Sequence, residues 1–397
     1  MSAPRPQIRI AIACGGTGGH LFPGMAVGRE LVQRDCQVCL IVSPKEIDQQ
    51  AVRSMGDMET LVVPAVGLSG GPMGWARFIK GFFRSYRTAM AAFRRNVPRA
   101  VLGMGGFTSA PPMLGGRRLG ARTFLHESNA VPGRANRWLA RGVEESFVYF
   151  PEAAHRLRPR PVRVTGMPVR REFEPRDASA CRMALGLDAR GPVLLIMGGS
   201  QGAQAINEAV MRGLPELSRR APGLQYIHLT GAHRQESIQA TYQALGLRAL
   251  VKPFLTEMEL ALGAATLALS RAGASSLAEL AAMRVPAILV PDPFAADDHQ
   301  ERNAMGVAGS GGAIVLRQRE LEAGGLPDQI LTLLADEESR VRMGTSLGAW
   351  HTPGAAEAIA GRILEALDVD GVRARKRAER ASPLVAATCF LTSRLPV

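Results

Sequence analysis

Cysteine is scarce in this chain, with five among 397 residues. That is too few for the disulfide framework of a small secreted domain. Cys36 and Cys39 form a Cys-x-x-Cys pair inside "DCQVCLIV", which reads as a buried strand, and no second pair completes a zinc site. A core role in a reduced, cytosolic protein follows. Long apolar runs are also missing. No stretch approaches the roughly 18 apolar residues of a membrane span, and the first run, "IRIAIAC", is strand-sized, so neither a span nor a signal peptide is expected. Any membrane contact should be peripheral. The third absence is of negative charge: between Thr60 and His126 there is no Asp or Glu, yet ten Lys or Arg occur.

The whole chain carries a formal net charge of +13. Such a balance implies an acidic partner: nucleic acid, anionic lipid or a phosphorylated substrate. The acid-free region contains "WARFIKGFFRSYRTAMAAFRR", in which Trp75, Phe78, Ile79, Phe82, Phe83, Tyr86, Met90 and Phe93 recur near helical spacing. Lys80 and Arg84 lie among them, with Arg77, Arg87, Arg94 and Arg95. A helix of this kind can rest in an anionic membrane interface. The blander alternative is a core helix whose arginines reach out to water. No nucleic-acid recognition motif accompanies the charge, so nucleic acid is not the expected partner. The last 27 residues, from Gly371, contribute +5 through "GVRARKRAER" and read as a disordered basic extension, with a lipid-binding arm as the second option.

The length suggests two domains. Strand-sized apolar runs alternate with helix-length segments: "RIAIAC", "VCLIVS", "RAVLGM", "RTFLHE", "SFVYF", then "PVLLIMG", "LQYIHLT", "TLALS" and "PAILVP". That alternation predicts an α/β protein with parallel sheets. An internal echo sharpens it, since "AIACGGTGG" returns as "LLIMGGSQG" with Gly15 matching Gly198. Two doubly wound domains are expected, each with a glycine-rich turn from strand to helix. A third turn, "GMGGF", runs from Gly103 to Phe107. The boundary should fall in "VRVTGMPVRREFEP", where two prolines and a glycine interrupt the periodicity.

A strand that enters a helix through glycines exposes backbone N–H groups and the positive end of the helix dipole, so phosphate is the default ligand. Two phosphate motifs are excluded by spacing. Leu21 stands where the dinucleotide fingerprint needs its third glycine, and neither turn has the lysine and hydroxyl residue of a P-loop. The lone Asp368-x-Asp370 lies beside the tail, far from either turn, and no metal site is expected. If a sugar nucleotide binds, helix N-termini and nearby polar groups would stabilise the leaving diphosphate. His20 opens the helix after the first turn, where the positive helix end should keep its imidazole neutral near pH 7. A neutral imidazole there can act as general base or donate to an oxyanion.

"GGTGGHLFPGMAVGREL", "GMGGF", "HESNAVPGRANRWLA", "GMPVRREF", "GGSQGAQAINE", "SRAGASSLAELAAMRVPAILVP" and "DDHQERNA" together resemble the MurG family, the undecaprenyldiphospho-muramoylpentapeptide β-N-acetylglucosaminyltransferases of peptidoglycan synthesis. The motifs occur in family order from about Arg9 to Asp368. The resemblance implies a GT-B fold: two Rossmann-like domains facing across a cleft, with 1–166 binding acceptor and membrane and 167–353 binding UDP-GlcNAc. It implies that a helix at about 354–368 crosses back to the first domain. It also implies inverting transfer of GlcNAc from UDP-GlcNAc to the C4 hydroxyl of MurNAc on lipid I, giving lipid II, with no obligatory metal or other cofactor. The enzyme would sit peripherally on the cytoplasmic face of the cell's inner membrane, serving the cell wall and thus cell shape and division.

Site residues follow from the same resemblance. His20 is the candidate base. Thr17, Gly18 and Gly19 would approach the donor, Asn129 the sugar side of the cleft, and Arg170 the nucleotide at the hinge. Ser200 and Gln201 would meet the diphosphate, and Leu255 would lend backbone groups to uracil. Ala274, Ser275 and Ser276 would lie beneath the phosphates, while Glu279 accepts the ribose hydroxyls. Gln300 and Asn303 would hold GlcNAc hydroxyls, a task that suits amides because they both donate and accept. Gly105 and Gly106 are where the lipid diphosphate is expected. Trp75, Phe78, Lys80, Phe82, Phe83 and Arg84 are expected to touch the anionic membrane surface. Two residues depart from the family pattern: Ser128 replaces the usual glutamine of "HEQN", and Met167 the asparagine before "PVR". A related GT-B UDP-sugar transferase acting on another membrane lipid, such as a diacylglycerol glucosyltransferase, is the nearest rival, and a non-catalytic nucleotide-sugar binder the next.

Overall fold

The computed structural model describes residues 7–16, 18–45, 48, 58–64, 67, 71–157, 159–199, 202–232 and 234–381. The apolar runs form two separate parallel sheets. The first contains β1 (Arg9–Ala13), β2 (Gln37–Val42), β3 (Glu59–Val62), β4 (Ala100–Gly103), β5 (Arg122–Glu127), β6 (Glu145–Val148) and β7 (Val162–Val164). Their spatial order is β3-β2-β1-β4-β5-β6-β7. The second contains β8 (Val193–Met197), β9 (Gln225–Leu229), β10 (Ala249–Lys252), β11 (Leu267–Ser270), β12 (Ala287–Leu289) and β13 (Ala313–Val315), in the order β10-β9-β8-β11-β12-β13. All pairings in both sheets are parallel, as between Ile10 and Ala100 or Leu194 and Leu267. Helices cover both faces, which is why the central strands are continuous apolar runs rather than alternating ones.

On one face of the first sheet, Leu21 and Leu31 of the helix Gly18–Val32 pack against Ile10, Ile12 and Leu102. The C-terminal helix Ala355–Ala381 lies on the same face, with Ile359, Ala360 and Ile363 fully buried in that cluster. The chain therefore crosses back to the first domain, as the GT-B pattern requires. One expectation changes here. The helix continues to Ala381, so residues 371–381 are helical where a disordered extension was expected. Arg, Lys, Ala and Glu are strong helix formers, and an existing helix propagates through them more readily than it nucleates. The rest of the tail, 382–397, lies outside the described residues.

The opposite face carries the helices Gly71–Arg95, Ala110–Arg118 and Arg134–Leu139. Ala89 and Phe93 of the first of these pack with Ala110, Met113 and Leu139. Cys36 and Cys39 are buried and unpaired, in keeping with a core role.

Two strands of chain connect the domains, and they meet at Gly166. Its φ is +80°, and a Cβ there would lie 2.4 Å from Thr352 Oγ1. Only glycine satisfies both the left-handed backbone and the close approach. Charge pairs staple the same region: Arg29 to Glu172 at 2.6 Å and Arg171 to Glu30 at 2.6 Å, each joining the helix Gly18–Val32 to the connection.

Candidate active site

In a doubly wound sheet, ligands bind beyond the carboxyl ends of the strands, where the strand order reverses. Those points lie between β1 and β4 in the first sheet and between β8 and β11 in the second. Each of these four strands runs into one of the sequence motifs. β1 leads to the first glycine turn and β4 to "GMGGF", while β8 leads to "GGSQG" and β11 to "RAGASS". The two halves touch there, since Ser275 Oγ donates to the Gly19 carbonyl across the cleft at 3.1 Å.

His20 lies over the "GMGGF" loop. A Cβ at Gly105 would be 2.9 Å from His20 Cε1, and one at Gly106 would be 3.4 Å from its Nε2. The residue is half-buried, but its Nδ1 edge is enclosed and has no hydrogen-bond partner. Burial lowers its pKa to about 4, with partial compensation from the backbone of Met104 and a further small depression from His299 of the second domain. The imidazole is therefore neutral near pH 7, chiefly because it is desolvated rather than because of the helix end.

The first turn is less open to phosphate than its glycines suggest. Asp48, fully buried, accepts from the Gly16 N–H at 2.9 Å and from Ser43 Oγ at 2.6 Å. A carboxylate thus occupies one of the N–H groups expected to face an anion, and Lys45 Nζ caps the Gly16 carbonyl at 2.7 Å. Gly18 is buried and Gly19 half-buried. Thr17, Ser200 and Gln201 lie outside the described residues.

Beside His20, the loop "HESNAVPG" is organised by a residue the sequence reading quoted but did not single out. Glu127 accepts from the backbone N–H groups of Asn129 at 2.9 Å and Gly133 at 3.1 Å, and from Asn136 Nδ2 at 2.7 Å. Burial raises its pKa, and these donors oppose the rise. The available signal was an acid that ends the strand directly before the loop. His126, one residue earlier, is fully buried with a pKa lowered to about 4, and its Nε2 lies 3.4 Å from the Gly166 carbonyl at the domain connection.

Arg170 stands at the hinge, its guanidinium carbon 4.9 Å from the Phe22 ring centroid and 4.8 Å from that of Phe173. Phe22 belongs to the first domain, so the stacked arginine bridges the two. Glu279 lines the same narrow crevice, together with Met167, Pro168 and Ser275. Burial raises the Glu279 pKa to about 7, and the nearby Arg170 holds it from rising further. Ala274 is buried, Ser276 half-buried, and Leu255 packs partly against the core of the second domain.

The two amides differ from one another. Gln300 Oε1 accepts from the N–H groups of Ala272 at 3.2 Å and Asp292 at 3.1 Å. Asn303 is fully buried. Its Oδ1 accepts from Ala130 N–H at 2.9 Å, and its Nδ2 donates to Asn129 Oδ1 at 3.0 Å and the Ala272 carbonyl at 3.2 Å. With oxygen and nitrogen both engaged by protein, Asn303 clasps the domains together here instead of presenting its amide to a sugar. Ser128 and Met167, the two departures from the family pattern, are both buried.

The helix Gly71–Arg95 sorts its aromatics between two faces. Trp75 is 53% exposed and Phe83 58%, with Ile79 between them on one stripe. Phe78 is half-buried against Phe107 of the "GMGGF" loop, ring centroids 5.3 Å apart, and Phe82 packs partly into the core. Lys80 and Arg84 are exposed.

Two doubly wound domains with facing switch points and a histidine over the junction make up a GT-B fold. Residues 10–148 match the N-terminal domain of glycosyltransferase family 28, and residues 193–358 its C-terminal domain. A protein of Sorangium cellulosum is 38% identical over 369 residues, covering 90% of this chain and 88% of its own. One of Pelobacter propionicus is 36% identical over 377 residues, covering 90% of this chain and 99% of its own. Both bear the name UDP-N-acetylglucosamine–N-acetylmuramyl-(pentapeptide) pyrophosphoryl-undecaprenol N-acetylglucosamine transferase. The crystal structure of Acinetobacter baumannii MurG superposes with a TM-score of 0.68 at 28% identity, covering 91% of this chain and all of that one. This chain belongs to the family of these N-acetylglucosamine transferases, the MurG family.

Proposed function

We propose that this chain transfers GlcNAc from UDP-GlcNAc to the C4 hydroxyl of MurNAc in lipid I, forming lipid II with inversion. The observation that carries the reading is the stacking of His20 on the Gly105–Gly106 loop at the point where the two switch points face each other. In the reaction, the C4 oxygen attacks C1 of GlcNAc while its proton passes to His20. The bond from C1 to the diphosphate oxygen breaks, and UDP leaves with that electron pair. A neutral imidazole is the form able to take the proton. The second glycine turn and the helix starting at Ala274 would receive the diphosphate, with Arg170 beside them. Glu279 would accept the ribose hydroxyls and Gln300 would donate to the sugar. The lipid diphosphate would approach Gly105 and Gly106, which lie against the His20 ring.

Membrane contact falls to the exposed stripe Trp75, Ile79 and Phe83, with Lys80 and Arg84 available to anionic headgroups. No helix among the described residues is long and apolar enough to cross a membrane, so the reading is of peripheral attachment at the leaflet that presents lipid I. The deciding experiment is transfer of radiolabelled GlcNAc from UDP-GlcNAc to lipid I, with diacylglycerol as a parallel acceptor. Labelled lipid II is the expected product. Label on diacylglycerol alone would overturn the acceptor, and no transfer to either would overturn the enzyme.

A further inference from the structure

Behind the "GMGGF" loop lies a buried hydroxyl that the reaction above does not use. Ser109, the residue before the helix Ala110–Arg118, is fully buried. Its Oγ is 2.6 Å from the Gly105 carbonyl oxygen and 3.0 Å from that of Ala13 at the end of β1. A hydroxyl has one proton to give, so the two carbonyls compete for it. The Ala13 carbonyl already accepts from the Met104 N–H at 2.9 Å. The Gly105 carbonyl is the closer of the two, and among the described residues it has no other donor. Gly105 is itself buried, and a buried carbonyl left without a donor is costly, so the proton belongs there. The neighbouring groups hold the same segment. The Ser109 N–H donates to the Gly106 carbonyl at 3.3 Å, and Thr108 Oγ1 donates to the Gly15 carbonyl at 2.5 Å.

The bond from Ser109 to Gly105 sets a direction. A peptide is planar and trans, so the Gly105 C=O and the Gly106 N–H lie on opposite edges of one plane. With the carbonyl drawn to Ser109, that N–H is turned away from the buried hydroxyl. Gly105 and Gly106 have φ of +113° and +74°, and glycines rotate more freely than any other residue, so the plane needs an anchor. Among the described residues nothing accepts from the N–H of either glycine. We propose that Ser109 is a positioning residue for the acceptor: by holding the Gly105 carbonyl it fixes the plane of the Gly105–Gly106 peptide, and with it the N–H offered to the diphosphate of lipid I. The inference rests on the reading that this loop receives that diphosphate.

The test uses the full chain, with steady-state kinetics in lipid I and in UDP-GlcNAc and with UDP binding followed by calorimetry. Ser109→Ala is expected to lower kcat/KM for lipid I about tenfold, the effect of one lost well-placed hydrogen bond. Kd for UDP and KM for UDP-GlcNAc should stay within about twofold of the parent, because the donor contacts are untouched. Ser109→Cys keeps a side chain of similar shape with a weaker donor, so it should move lipid I in the same direction by less. It also decides the matter if Ser109→Ala does not fold. A lower Tm with parental lipid I kinetics, or an equal loss for lipid I and UDP, would overturn the positioning role. Failure of the parent chain to transfer GlcNAc to lipid I would overturn the functional reading instead.

Discussion

At neutral pH the His20 imidazole is uncharged because its Nδ1 edge is shut away from water against the Gly105–Gly106 loop. Two consequences follow for catalysis. His20→Ala should lower kcat by about 10²–10⁴-fold while leaving KM for UDP-GlcNAc nearly unchanged, the range general bases usually supply. A variant with full turnover would remove His20 from the mechanism. The pH profile is a second check: kcat, measured at saturating UDP-GlcNAc, should show no acid limb at the ordinary imidazole pKa of ~6.5. Glu279 predicts the opposite sensitivity. Its pKa is raised to about 7, so the carboxylate proposed to accept ribose hydroxyls is lost as the pH falls through neutrality. KM for UDP-GlcNAc should therefore rise below pH 7 in the parent, and Glu279→Gln should flatten that dependence. At this scale the sequence was a partial guide. His20 and Glu279 stand out from their neighbours as polar residues in glycine-rich or apolar stretches. Asp48 and Glu127 act by taking backbone N–H groups from segments far along the chain or around a loop, and no spacing rule reveals such partners.

The helix Gly71–Arg95 shows how an element divides its duties. Gly74, Gly81, Ser85, Ala89 and Phe93 face the domain, leaving Trp75, Ile79 and Phe83 outward. The aromatic-basic pattern was legible in the sequence, but the half-buried setting of Phe82 was not. Replacing Trp75 and Phe83 together by serine should weaken binding to anionic vesicles about tenfold or more, given the apolar area removed. Tm and activity on a short-chain soluble acceptor should hold. Loss of folding in that variant would return the stripe to the core. Among strands, the nine apolar runs read from the sequence are all present. The four not read, β3, β7, β10 and β13, are the outer strands of the two sheets. Edge strands are short and partly exposed, so their apolar runs are shorter or interrupted by charged residues, as in β7 (VRV) and β10 (ALVK).

For the molecule as a whole, the domain connection and the buried histidines set its response to strain and acid. Gly166→Ala would press a Cβ onto Thr352 and force a left-handed backbone on a non-glycine residue, so it should cost about 1–3 kcal/mol and lower Tm. His20, His126 and His228 each have pKa values lowered to about 4. Below pH ~6.5 the unfolded chain binds protons that the folded one refuses, so stability falls as pH drops from there toward 4. Each fully buried histidine adds up to ~1.4 kcal/mol per pH unit in that window. Urea midpoints measured between pH 7 and 5 should decline steadily, and replacing His126 by glutamine should make the decline shallower. Glu279 opposes this trend with the reverse sign, its raised pKa favouring the folded state at the acid end.

The alternation of apolar runs and the repeat of the glycine turn determined, from sequence alone, that the chain folds as two parallel α/β domains, because strands covered by helices on both faces leave a continuous apolar signature. The order of the motifs determined the family. Tertiary structure decided which residues confront one another. It set Asn303 to clasp the domains, with both ends of its amide engaged. It placed Asp48 on the Gly16 N–H and stacked Arg170 between Phe22 and Phe173. Those outcomes depend on contacts between segments from 32 to 174 residues apart, and such distances are not written in local sequence.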